Sequence, residues 1–175
     1  MASIFYTASS LDGFLATTDH SLEWLFRQDF DMDGPMAYPA FIERIGALVM
    51  GASTYRWLLD HQDVWEYTQP TWVFTHQDLP IPDGADVRIT HGEIAAVFPQ
   101  IQASAGDKDV WVMGGGDLAG QFADAGFLDE VWVQFAPVTL GEGQPLLPRD
   151  LQLELAEVVR NRDFVCTRYR VPRPS

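Results

Sequence analysis

The chain predicts an α/β fold: a mostly parallel central sheet with helices on both faces and antiparallel strands at its C-terminal end. Three observations predict it. Short apolar runs alternate along the chain with segments of helical character, as in strand–helix–strand units. The run 46–50 is apolar at successive positions, so both of its faces are buried, as in a parallel sheet covered by helices. From Leu151 the apolar residues fall at every second position, through Leu153 and Leu155 and again over 163–171, which reads as two antiparallel strands.

The elements follow in order. Ser3 to Ala8 is a β-rich run and reads as a central strand, ended by the turn-forming Ser9-Ser10-Leu11-Asp12-Gly13. Phe14 to Ala16 is a short return strand. Ser21 is placed to cap a brief helix over 22–26. The acids Asp29, Asp31 and Asp33 before Gly34 mimic the start of a calcium loop, but the closing glutamate position holds Ala40, so a solvated loop or the edge of a lid is expected. Pro39 opens a short helix over 39–45. The strand 46–50 then runs through Gly51-Ala52-Ser53-Thr54 into a helix over 55–60, with Ser53 or Thr54 as its cap. Strands are expected over 71–75 and 87–90. A helix follows over 93–104, which Pro99 should kink or displace. Val110 to Met113 is a buried strand, Gly114-Gly115-Gly116 a bare junction, and 117–125 a helix. A further strand covers 131–136 and ends at Pro137. No repeat or linker interrupts the pattern, so residues 1–175 are expected to form one domain.

The composition excludes several classes. With 47% hydrophobic residues the chain can bury a core. A net charge of −14 argues against nucleic acid as a partner. No apolar run approaches the ~20 residues of a membrane span, and no secretory leader is visible, so a cytoplasmic protein is expected. Cys166 is the sole cysteine, which allows no internal disulfide and reads as a core residue. His20, His61 and His91 are too scattered to make a metal site, and none is expected.

In parallel sheets ligands sit beyond the carboxyl ends of the strands. Three such ends carry suggestive residues: Gly51 to Thr54, Thr75-His76, and Gly114 to Asp117. Glycine lets a ligand approach the backbone, and a helix start offers unpaired N–H groups to a phosphate. Together they point to a nucleotide.

The ordered set Ala8 to Gly13, Val49 to Tyr55, Val112 to Gly116, Gly126 to Val131 and Pro137 to Gly143 resembles the dihydrofolate reductase superfamily. Within it, the chain is most similar to the reductase domain of bacterial riboflavin biosynthesis, the deaminase-reductase C-terminal domain. The resemblance implies a three-layer α/β/α fold and a homodimer, with Trp132, Phe135, Phe164 and Tyr169 as interface candidates. It implies NADPH as cofactor, with NADH as the alternative. By the same resemblance Gly114, Gly115, Gly116, Asp117 and Leu118 would approach the pyrophosphate and nicotinamide. Gly51, Ser53 and Thr54 would bind phosphate, and Thr75 and His76 would lie beside the adenosine ribose. Ala8, Asp12, Gly13 and the loop through Trp24 would form the substrate side. Two departures stand out. The family's second motif carries an arginine where this chain has Ala52, and its third strand end carries Ser then Arg or Lys where this chain has Thr75-His76. His76 and Arg56 are the candidates to replace the lost contact.

Hydride transfer asks little acid–base chemistry of a protein. Where the product needs a proton, Asp12 and Glu23 are the candidate donors; the plainer reading makes Asp12-Gly13 a turn and Glu23 a solvated helix position. Trp24 either stacks on a flat substrate or packs its helix to the core. Two functions are consistent with all this. One is an NAD(P)H-dependent reductase of a small pterin- or pyrimidine-like heterocycle. The other is a non-catalytic nucleotide-binding or sensing protein of the same fold.

Overall fold

The computed structural model describes residues 1–173. Ten strands and five helices follow in the order β1 (Ser3–Ser9), β2 (Phe14–Ala16), α1 (Glu23–Phe26), α2 (Tyr38–Glu43), β3 (Ile45–Gly51), α3 (Ala52–His61), β4 (Thr71–Phe74), β5 (Val87–Thr90), α4 (Ile94–Ala105), β6 (Asp109–Gly114), α5 (Gly116–Asp124), β7 (Glu130–Phe135), β8 (Gln144–Pro145), β9 (Glu154–Asn161) and β10 (Phe164–Arg170).

Eight strands form one sheet in the order β5-β4-β3-β6-β1-β7-β10-β9. Strands β5 to β7 of that order are mutually parallel, β10 runs antiparallel to β7, and β9 antiparallel to β10. The period of two sorts the side chains into two layers. Ile4, Tyr6, Leu48, Met50 and Trp111 point to the face covered by Phe41 of α2 and by Tyr55 and Leu58 of α3. Phe5, Val49, Val110 and Val112 point to the other face, against Val97, Phe98 and Ile101 of α4 and Leu118 and Phe122 of α5. This is the expected α/β/α sandwich, with a parallel sheet that ends in antiparallel strands.

Several local expectations shift. The N-cap of α3 is Gly51, with no side-chain cap bond, so Ser53 and Thr54 lie inside the helix instead of capping it. Helix α4 runs unbroken through Pro99, which is exposed; on the solvent side water can take the carbonyl that proline leaves without a donor. Strand β2 pairs with β8, not with β1, making a separate two-stranded ribbon. Ser21 Oγ accepts from the Glu23 amide at 3.3 Å, although the cap position of α1 is Leu22.

The acidic loop after α1 is fastened at several points. Asn161, at the end of β9, accepts from the Asp31 amide at 2.8 Å and donates to the Asp31 carbonyl at 2.9 Å. Arg162 pairs with Asp29 at 3.0 Å, and the Asp29 amide donates to Asp163 at 2.7 Å. The β9–β10 turn thus holds this loop over the edge of the sheet.

Candidate active site

The chain leaves β1 to build β3, β4 and β5 on one side, and returns to insert β6 between β3 and β1. It then crosses to β7 on the far side. The carboxyl ends of these strands open into a cleft of about 1090 Å³. Topology of this kind places a crevice where the direction of winding reverses.

Two helix starts meet at the cleft. β3 and β6 are neighbours, with Met50 in register with Gly114. Each strand passes directly into a helix whose N-cap is a glycine: Gly51 for α3 and Gly115 for α5. Neither cap carries a side-chain bond, so the first-turn N–H groups of both helices remain available to an anion.

The three glycines differ in what they do. Gly114 sits at φ +138°, which favours glycine, and its missing side chain would point toward Thr54 Oγ1 at 3.6 Å. A Cβ on Gly115 would meet nothing within 4 Å, so this position faces open cleft. A Cβ on Gly116 would fall 2.3 Å from the Pro145 carbonyl oxygen and 2.4 Å from that of Leu146. Close packing of the 145–146 backbone on α5 therefore accounts for Gly116 without a ligand. The Gly114–Gly115 peptide is cis.

Most of the anticipated positions line this one cleft. Gly51, Ser53, Thr54, Thr75, His76, Gly114, Gly115, Gly116, Asp117, Leu118 and Ala8 all contribute to its wall. Four do not. Asp12 lies on the surface, where its carboxylate accepts from Ser10 Oγ at 2.7 Å, from the Leu140 amide at 3.0 Å and from the Gly141 amide at 2.7 Å. The Ser10 hydroxyl, and behind it these two amides, hold its carboxyl below the usual carboxylate range. Asp12 is thus an ionised clasp between two loops, a poor proton donor at neutral pH. Gly13 beside it has φ +87° and accepts from the Leu146 amide at 3.0 Å, so it belongs to the same clasp. Glu23 is exposed on α1 and outside the wall. Trp24 is only 2% exposed, buried with Ala136, Phe164 and Cys166; it packs α1 to the sheet. Arg56 likewise stands on the outer surface of α3, away from the wall.

The loop through Trp24 does reach the wall, at Leu15, Ala16, His20 and Leu22; much of what remains was not anticipated. It includes a set of aromatic rings: Tyr38, Trp57, Tyr67 and Trp111, with Phe26 and Phe30 at the rim. Tyr38 and Trp111 lie 5.9 Å apart, and Phe26 faces Trp57 at 6.4 Å, bridging α1 and α3. The polar groups here are few. Tyr6 Oη donates to the Met36 carbonyl at 2.9 Å, and Gln134 Nε2 reaches the same carbonyl at 2.9 Å and Tyr6 Oη. Burial pushes the Tyr6, Tyr38 and Tyr67 hydroxyls up, so all three are protonated at neutral pH. These residues come from separate elements and share no local motif. The Thr90-His91-Gly92-Glu93 segment was also missed, yet it ends β5, a fourth strand end on the same side, so the strand-end rule applies to it too.

Comparison with known proteins agrees with this architecture. Residues 47–166 match the model of the RibD C-terminal domain. The chain is 31% identical over 144 residues to the uncharacterized protein YwjB of Bacillus subtilis, across 82% of this chain and 80% of that protein. A crystal structure of a protein from Shewanella sp. PV-4, provisionally assigned to riboflavin biosynthesis, superposes with a TM-score of 0.84 at 27% identity, covering 99% of this chain and all of that one (100%). The dihydrofolate reductase of Enterococcus faecalis, solved in complex with NADP(H), shares the fold with a TM-score of 0.60 at 15% identity, over 97% of this chain and 96% of that one. The chain belongs to the RibD C-terminal domain family and has the dihydrofolate reductase-like fold.

Proposed function

We propose that this protein is a reductase that uses a reduced nicotinamide dinucleotide to transfer hydride to a small, flat heterocycle of the pterin or pyrimidine kind. One observation carries the reading: two bare helix starts, Gly51 to Thr54 and Gly114 to Leu118, meet side by side in a cleft whose far end is walled by aromatic rings. The helix starts suit a pyrophosphate, which backbone N–H groups bind well. The open approach at Gly115 fits close contact with a ligand. When bound, the dinucleotide supplies the hydride. The protein's part is to hold both rings face to face and keep water out, which the walls formed by Tyr38, Trp57, Tyr67 and Trp111 are suited to do. The hydroxyls of Tyr38 and Tyr67, kept neutral by burial, are hydrogen-bond donors for a substrate at the aromatic end. The carboxylates Glu93 and Asp117 stand at the dinucleotide end.

Trp57 and Trp111 line the cleft, so a bound dinucleotide should quench Trp fluorescence. The expected result of titration with NADH and NADPH is saturable quenching by at least one. No saturable binding of either up to about 1 mM, a typical upper bound for a working KM, contradicts the reading.

We also propose a homodimer, through a different surface from the aromatic residues first considered. Trp132 and Phe164 are buried within the protomer. Leu155 and Val158 on the edge strand β9, and Val165 on β10, are at least half exposed and offer an apolar edge instead. A monomeric mass in sedimentation equilibrium contradicts this.

A further inference from the structure

The charge of the cleft wall goes further than the reductase reading on which this inference rests. No lysine or arginine lines the cleft among the described residues. Its carboxylates are Glu93 and Asp117, and its other titratable side chains beyond tyrosine are His20, His76 and His91. Arg56 stands on the exposed side of α3, outside the wall, and two further guanidinium groups are engaged elsewhere. Arg149 bridges Asp117 at 3.0 Å and Asp124 at 2.8 Å, and its stem packs against Gly120, where an added Cβ would fall 2.7 Å from it. Arg88 is paired with Asp86 at 2.9 Å.

NADH and NADPH differ by one phosphate monoester on the adenosine ribose. The pyrophosphate common to both is served by the bare starts of α3 and α5. A monoester carries close to two negative charges at neutral pH, and proteins hold such groups with guanidinium or ammonium groups. This wall offers none. A third helix start in the cleft, that of α4, has Glu93 as its N-cap residue; its side chain makes no cap bond, but it places a negative charge beside that electropositive end. Asp117 stands in the first turn of α5, and its bonds to Gln121 and Arg149 keep it ionised. At the ends of β4 and β5, His76 and His91 stack at 5.8 Å with an interplanar angle of 13°, and His91 Nδ1 is engaged with the Thr75 carbonyl. Such a pair offers single ring N–H donors, suited to a ribose hydroxyl, with no forked cation for a dianion. The net charge of −14 adds a repulsive field for any further anion.

We propose that the cleft selects the dinucleotide without the 2′-phosphate, so that NADH is the cofactor and Glu93 is a specificity-determining residue against NADPH. The test is a pair of fluorescence titrations of the full chain with NADH and NADPH at neutral pH, repeated on Glu93→Gln and Ala52→Arg. NADH should bind about tenfold more tightly than NADPH, the scale of one missing charge-assisted bond. Glu93→Gln should narrow that gap several-fold by improving NADPH alone. Ala52→Arg places a cation on the first residue of α3, in the cleft wall, and should strengthen NADPH relative to NADH. NADPH binding as tightly as NADH, or more tightly, in the wild type overturns the proposal. An unchanged ratio in Glu93→Gln overturns the role given to that residue. Binding of neither dinucleotide has a separate signature: it removes the reductase reading, and this inference with it.

Discussion

Three successive glycines at the end of β6 have three different physical causes, and substitution separates them. Gly115 faces open space, so Gly115→Val should leave the fold intact and obstruct the cleft. Its melting temperature should match the wild type while dinucleotide affinity falls by at least about tenfold. Gly116 is pressed against the carbonyls of Pro145 and Leu146. Gly116→Ala should therefore cost about 1–3 kcal/mol by overpacking, seen as a lower denaturant midpoint. Equal effects of the two on stability would contradict the assignment. Asp12 is the other residue whose task differs from the one its position suggests. Its folded pKa is lowered, chiefly by the Ser10 hydroxyl. A lowered carboxylate pKa contributes stability that is complete above the ordinary value of 3.8 and is lost as the pH falls through the folded value. Asp12→Ala should speed amide exchange at Leu140 and Gly141 at neutral pH. Its difference in stability from the wild type should vanish in acid; a difference that persists well below pH 3.8 would contradict the clasp.

At the scale of elements, the acidic loop 29–35 and the β9–β10 turn act as one unit. Phe30 and Met32 of that loop line the aromatic end of the cleft, and Asn161, almost fully buried, holds the loop in place through its hydrogen bonds to Asp31. Asn161→Ala removes the partner of the part-buried Asp31 amide and one of the donors to the Asp31 carbonyl. It should cost about 1–3 kcal/mol and raise proteolytic cutting near Phe30, whereas cutting at the wild-type rate would mean that the loop is held by other contacts. The sequence showed this segment as polar and turn-like, but its fastening to residues some 130 positions later leaves no local trace. Burial of Trp24 was equally hidden, because its partners Ala136, Phe164 and Cys166 come from far along the chain. By contrast, the strands were legible. In a sheet buried on both faces nearly every position is apolar, and runs such as Leu48-Val49-Met50 announce themselves. Helix α4 was legible through the spacing of Ile94, Val97, Phe98 and Ile101, and its continuity through Pro99 was not, since tolerance of proline depends on which side of the helix meets water.

For the whole molecule, the strand-end rule located the half of the cleft where the two helix starts meet. Gly51, Thr75 and Gly114 end neighbouring parallel strands, and position along the chain alone marks such ends. The aromatic half was not legible. Its rings come from α2, α3, β6 and connecting loops, and only the folded sheet order assembles them. The charge pattern of the cleft had the same character: the missing arginine at Ala52 was visible in the sequence, while the engagement of Arg149 with Asp117 and Asp124 appears only in three dimensions. The central claim is that one dinucleotide lies across the two helix starts. Hydrogen exchange with and without saturating NADH tests it most directly. The account predicts added protection in both Gly51 to Thr54 and Gly114 to Leu118. Protection of only one of these segments, or of neither, would contradict it.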